Sequence, residues 1–327
     1  MIYKNLKLEQ SYRELIGSIY SVSEFLLYQG KFDDALRVLN SDILKFIEEK
    51  GELKDWLLIQ TQLAKVILHK GLLNNSDFNT PRQILLEVKA KVKHLNDKSF
   101  SADVEDLYGW SFVYQYLFSS SSYDEALEYF ERGLKLREEV ADTRGIAESI
   151  FHIGILFQKR AEIDPKNQAD MDKAFEYYQR AYSLLQNSDY KLEKAYATRH
   201  LGFIHRYRRE LDKALSYYEQ SLALRQEIGL EIFFAPSHHA IGQVYYEMNQ
   251  LEKALDSYQT ACLFAEKVGF FGYLASALLG LGDVQQSQGN QTEALDYYLE
   301  AFAVAKSANL DLNLIAAKRR IEKLVNV

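Results

Sequence analysis

The chain has 327 residues, 47% hydrophobic and 26% charged, with a formal net charge of −7, the balance of a soluble globular protein without long disordered stretches. The acidic sign opposes a nucleic-acid partner, because phosphate binding needs a basic surface. One cysteine, Cys262, excludes an internal disulfide and a multi-cysteine zinc site, and three prolines with sixteen glycines are too few to punctuate a β-rich fold.

The start of the chain lacks the apolar core of a signal peptide, and no run approaches the ~20 apolar residues of a membrane span. A cytoplasmic, all-α protein with no membrane contact is expected. Residues 9–29 carry Leu15, Ile19, Val22, Leu26 and Leu27 at helical spacing and end at Gly30. A second helix opens at Phe32, with Ala35, Val38, Leu39, Ile43 and Phe46 on its apolar side. The run from Leu53 to Leu68 is expected to close at Gly71. Residues 74–81 read as a loop, with Pro81 in the first turn of a helix over 82–95. An aromatic-dense helix over 101–118 follows, broken by four serines at 119–122.

From there the chain repeats itself. Leu211-Asp-Lys-Ala-Leu-Ser-Tyr-Tyr-Glu-Gln-Ser-Leu222 returns from Leu251 to Cys262 and from Gln291 to Phe302, and more loosely from Met171 to Tyr182 and Tyr123 to Leu134. The anchoring alanines, Ala126, Ala174, Ala214, Ala254 and Ala294, lie 48, 40, 40 and 40 residues apart. Residues 161–170 lengthen one turn and account for the longer interval. A period of this size marks a stack of helical hairpins. Gly202, Gly242 and Gly282 stand twelve residues ahead of their alanines, and Gly154 takes that place once the insertion is removed. Tyr178, Tyr218, Tyr258 and Tyr298, four residues beyond the alanines, are expected to fill the space between layers.

Leu201-Gly202, Ala214, Tyr218 and Ser221, with their counterparts in the next two repeats and Trp110 sixteen residues before Ala126, resemble the tetratricopeptide repeat. The resemblance covers 101–308, is weak over 1–100, and leaves 309–327 as a capping helix. Its repeats exceed the usual ~34 residues and look like those of kinesin light chains, the LGN polarity adaptor and the Rap peptide receptors. The family's proline after the second helix is missing, which points to longer second helices.

What the resemblance implies is a right-handed superhelical solenoid of about seven hairpins plus the cap, whose first helices line a concave groove for peptides or protein segments. Counted from the repeat glycine, its groove positions are Phe151 and Gln158, then Arg199, Phe203 and Arg206 with Tyr196 and Tyr207, then His239, Gln243 and Tyr246. Arg199 and Arg206, seven residues apart, share a helical face and suit an acidic partner or a free C-terminal carboxylate. The competing reading is a solvated wall whose arginines pair with Glu210 or with acids of neighbouring helices.

Other motifs carry less. His238 and His239 diverge by ~100° on a helix and cannot chelate one ion together. His205 stands at a core position of the repeat. No nucleophile, base and oxyanion set emerges. The expected function is a non-enzymatic adaptor without cofactor or metal that binds a peptide or protein segment in its groove. The alternative is a Rap-like regulator whose superhelix changes shape on peptide binding.

Overall fold

The computed structural model describes residues 2–74, 77–116, 124–163 and 167–325. The serine turn at 119–122 and the centre of the 161–170 insertion lie outside them. Among the described residues the secondary structure is helical, in hairpin pairs. The first hairpin is α1 (Ile2–Tyr28) with α2 (Phe32–Val38) and α3 (Ser41–Lys50); α4 (Leu53–Asn74) pairs with α5 (Asn79–Val92), and α6 (Lys98–Tyr116) with α7 (Asp124–Glu139). Then come α8 (Thr143–Ile163) and α9 (Gln168–Leu185), α10 (Lys191–Tyr207) and α11 (Leu211–Glu227), α12 (Phe234–Glu247) and α13 (Leu251–Val268), and α14 (Phe271–Ser287) and α15 (Gln291–Ser307). α16 (Asp311–Val325) closes the array, which is the all-α solenoid of seven hairpins and a cap that the repeats imply.

The 40-residue period has a local cause at half its length. Arg209, Gly229, Asn249, Gly269, Gly289 and Asn309, each twenty residues apart, all hold left-handed backbone. At each, the amide of the following residue donates to a carbonyl five residues back, as in Glu210 to His205 and Phe270 to Ala265. This Schellman-type cap satisfies the last carbonyls of a helix and turns the chain, so one device ends every helix of the tight repeats. Five of the six positions are glycine or asparagine with low cost there, and Arg209 bears the strain of a side chain. The extra repeat length is shared by both helices: α10, α11, α14 and α15 each have 17 residues.

Between layers, Tyr178, Tyr218, Tyr258 and Tyr298 are buried. Each ring lies where a Cβ on the glycine of the preceding helix would stand: 2.8 Å for Gly154 and Gly202, 2.9 Å for Gly242 and 2.3 Å for Gly282. The glycine and tyrosine are therefore one packing unit, which explains their fixed spacing.

Two expectations in the first hundred residues need correction. The helix opening at Phe32 stops at Leu39, because the Asn40 side chain accepts the amides of Asp42 and Ile43 at 3.0 Å and starts α3 as a new helix. Phe46 is exposed on α3 and takes no part in the core. α4 does not end at Gly71 but runs on to Asn74, the missing side chain leaving room for the Phe78 ring.

The solenoid closes on itself. Gln29, at the turn after α1, donates its side-chain amide to the Gly229 carbonyl at 2.9 Å. Gly30, with φ +72°, packs its α-carbon against Val268. One apolar core runs from Leu27, Phe32 and Leu73 to Leu230, Val268 and Phe270. Side chains of the first helices α1, α4, α6, α8, α10, α12 and α14 thus converge on a common interior, the lumen of the ring.

Candidate functional site

The lumen is lined where first helices face one another. Tyr196 on α10 has its ring stacked on Phe151 of α8 (5.6 Å) and edge-on to Phe233 in the 3-10 turn Glu231–Phe233 (5.6 Å). Tyr28 of α1, Lys65 of α4, Glu148 of α8 and Arg225 of α11 all lie within electrostatic reach of its hydroxyl. Burial pushes the ionisation of Tyr196 and of Tyr114 on α6 upward, so both act as neutral donors.

The wall has two electrical faces. On the α1, α4, α6 and α8 side, Lys65 pairs with Glu24 (3.2 Å) and sits over the Tyr28 ring, while Asp103, Asp106 and Glu148 gather around Arg137. On the α10 to α12 side stand Arg199 and Arg225, and among the described residues no carboxylate pairs with either. Arg199 reaches the Tyr273 hydroxyl and the His200 ring, both at 3.4 Å, and its Nε is buried without a partner. Burial first, and then the neighbouring Arg199 charge, push Arg225 down to about 9.

Of the residues singled out from the repeats, Tyr196, Arg199 and His239 belong to this wall; the His239 ring rests on Tyr258 and Tyr273 (both 5.7 Å). The other seven are held by neighbouring side chains. Arg206 does not wait on an exposed face beside Arg199: it pairs with Glu247 at 2.7 Å and donates to Gln243, which occupies that residue too. Its charge is already matched. Phe151 and Gln158 are buried, Gln158 accepting from the Tyr178 hydroxyl and meeting the His200 ring, both at 2.8 Å. Phe203 packs between the fourth, fifth and sixth hairpins. Tyr207 is exposed at the rim and donates to Gln168, and Tyr246 contacts Ser287. Gln158, Phe203, Arg206, Gln243 and Tyr246 contact neighbouring helices, because tight hairpin packing turns the +1 and +4 positions toward them.

His205 is buried, stacked on Tyr217 (5.1 Å) and bonded to Glu210 (2.9 Å). His238 stacks on Phe264. Burial raises the Cys262 thiol to about 12, which leaves it unreactive. Among the described residues no group of three or more His, Cys, Asp or Glu could hold a metal ion, and no helix is long and apolar enough to cross a membrane. Tyr28, Lys65, His69 and Arg225 escaped the sequence reading. The signal for the α4 pair was an i,i+4 polar step, Lys65 and His69, inside an otherwise apolar helix.

Residues 166–325 match the family model described as the MalT-like TPR region. No curated protein matches the sequence. Several solved structures align over most of the chain. A Rap protein complexed with Competence and Sporulation Factor aligns at TM-score 0.66 and 12% identity, over 96% of this chain and 86% of that one. The apo form of the quorum sensor NprR from B. thuringiensis aligns at 0.54 and 15%, over 99% and 92%. The apo form of RapI aligns at 0.52 and 18%, over 90% and 77%. At such identities the likeness is one of fold. Together with the glycine, alanine and tyrosine spacing, it gives the chain the fold of a long-repeat helical solenoid, whose residues 166–325 match the MalT-like TPR region.

Proposed function

We propose that the chain is a non-enzymatic, cytoplasmic receptor that binds an extended peptide or protein segment inside its lumen. The observation that carries this reading is the convergence of Tyr28, Tyr114, Tyr196 and Phe233 with unmatched cations on one side: rigid aromatic surface and a few convergent polar groups are what a preformed ligand site offers. The Rap relative complexed with Competence and Sporulation Factor supports it by analogy of fold. The expected ligand is acidic or carries a free carboxylate. In affinity capture from lysate, Tyr196→Ala should lose the ligand that the wild type retains, while Arg209→Glu at an exposed turn should keep it. Equal retention by Tyr196→Ala would move the binding site out of the lumen.

A second reading, in which ligand binding alters the superhelix, is favoured by the thinness of the closure. Beyond the shared apolar core, it rests on the Gln29 bond and the Gly30 contact with Val268. A Cβ at residue 30 would stand 2.7 Å from the Val268 Cγ1, on backbone already at φ +72°. Gly30→Ala should open the ring and raise the radius of gyration in small-angle scattering, and ligand should draw the variant closed again. An unchanged radius would deny the closure this role.

A further inference from the structure

Arg137 and Arg225 hold the same position in their repeats, eleven residues beyond Ala126 and Ala214. Each is 1% exposed. Each donates through Nη1 to a carbonyl eight residues on and a serine twelve residues on: Gly145 (3.0 Å) and Ser149 (2.6 Å) for Arg137, Phe233 (3.3 Å) and Ser237 (2.6 Å) for Arg225. In both, Nε is buried without a partner. The two sites are one piece of architecture used twice, 88 residues apart.

They differ in charge. Arg137 is held by Asp106 through Nη1 and by Asp103 and Glu148 through Nη2, at 2.5, 2.6 and 3.2 Å. The residues 88 further on are Lys194, Lys191 and Pro236. Lys194 turns away to the Gln186 and Ser188 carbonyls, and Lys191 pairs with Glu227. Ser111, 88 residues before Arg199, is likewise replaced by a cation. Three carboxylates have gone and a second arginine has arrived. What remains beside Arg225 is Tyr196 and Phe233, whose ring centroids lie 5.8 and 5.3 Å from the guanidinium. Ring faces soften a buried cation without neutralising it, and an uncompensated buried charge is costly.

We propose that the fifth and sixth hairpins carry a carboxylate subsite, in which an anionic group of the lumen ligand seats between Arg225 and Arg199 as the acids of the third and fourth hairpins seat on Arg137. This rests on the peptide-binding reading, and deepens it by fixing where the ligand's charge goes. The planar, five-donor guanidinium suits a carboxylate, from a chain terminus or from an Asp or Glu side chain.

The test uses the full chain as wild type, Lys194→Asp and Arg225→Met. Lys194→Asp restores the counterpart of Asp106 and should fill the site from within. The probes are sodium acetate against sodium chloride at equal ionic strength, read by thermal shift, and pooled Nα-acetylated hexapeptides, read by retention. The pools have free or amidated C-termini, with or without Asp and Glu. Acetate is expected to raise the melting temperature of the wild type alone. Pools lacking any carboxylate should bind about ten- to a hundredfold more weakly than the others, and both variants should lose the distinction. If only free C-termini restore binding the source is terminal; if amidated acidic pools do, it is a side chain. Peptides retained equally with and without carboxylates would overturn the subsite and leave the peptide reading standing. An acetate shift confined to the wild type with no pool retained would do the reverse. No response to acetate or to any pool overturns the subsite.

Discussion

Between pH 7 and pH 5 the fold is expected to lose about 4 kcal/mol of stability, a large share of what a domain has. The cause is three histidines around the lumen held neutral by burial. Burial, helped by the Lys65 charge, pushes His69 down to about 4. Burial with Arg206 and Arg199 pushes His239 down to about 3. Burial with Arg199, Lys159 and Arg225 pushes His200 well below the usual range. A depressed histidine takes no proton in the folded state while the unfolded chain takes one below its ordinary pKa of ~6.5. Stability is therefore complete above that value and falls as the pH drops, by about 1.4 kcal/mol per pH unit for each group. Asp103 works the other way: burial raises it to about 6, so the folded state binds its proton first, and this half-exposed carboxylate offsets a part of the loss. Urea unfolding followed by circular dichroism at pH 7, 6 and 5 measures the slope, which His239→Gln should reduce by about a third. Equal midpoints at pH 7 and pH 5 would mean that the histidines are hydrated.

Tyr178→Ala is expected to destabilise the protein by about 3–5 kcal/mol, the cost of emptying an aromatic-sized space in a packed core. The ring is fully buried against Gly154 and beside Phe151 (5.8 Å) and His200 (5.0 Å). Its hydroxyl donates to Gln158, which also meets His200, so the truncation leaves a buried amide short of a partner. Tyr178→Phe separates the two contributions, and should cost about 1–2 kcal/mol. A loss below about 1 kcal/mol for the alanine variant would show that the layers close over the gap.

The parts of the fold legible in sequence are those with a local cause. Gly154, Gly202, Gly242 and Gly282 announce their tyrosine partners because a ring must lie on a missing side chain, and the spacing survives wherever that contact does. The break at Asn40 was hidden, since one side-chain cap outweighs an apolar periodicity that continues across it. At the lumen, Tyr196, Arg199 and His239 could be placed by counting from a glycine. Arg206 could not be told from Arg199 by the same count, because Glu247, which neutralises it, comes from the next hairpin. Tyr28, Lys65 and His69 reach the lumen only because the array closes, which depends on contacts some two hundred residues apart. Arg225 lies on a second helix, and only its match with Arg137 draws attention to it.

That closure also changes how the molecule comes apart. An open array of repeats behaves as a row in which each unit feels only its neighbours, and fraying starts at the ends. Here the Gln29 bond to Gly229 and the packing of Gly30 on Val268 tie the first hairpin to the turns beside the fifth, sixth and seventh. The first unit in the sequence is then an interior unit in space. Its loss would expose the apolar edges of Leu230, Val268 and Phe270 together, so that removing one end of the row loosens its middle. Such long-range pairing must form late and against a large loop-closure entropy, which makes the ring the slow and cooperative step in an otherwise local folding process.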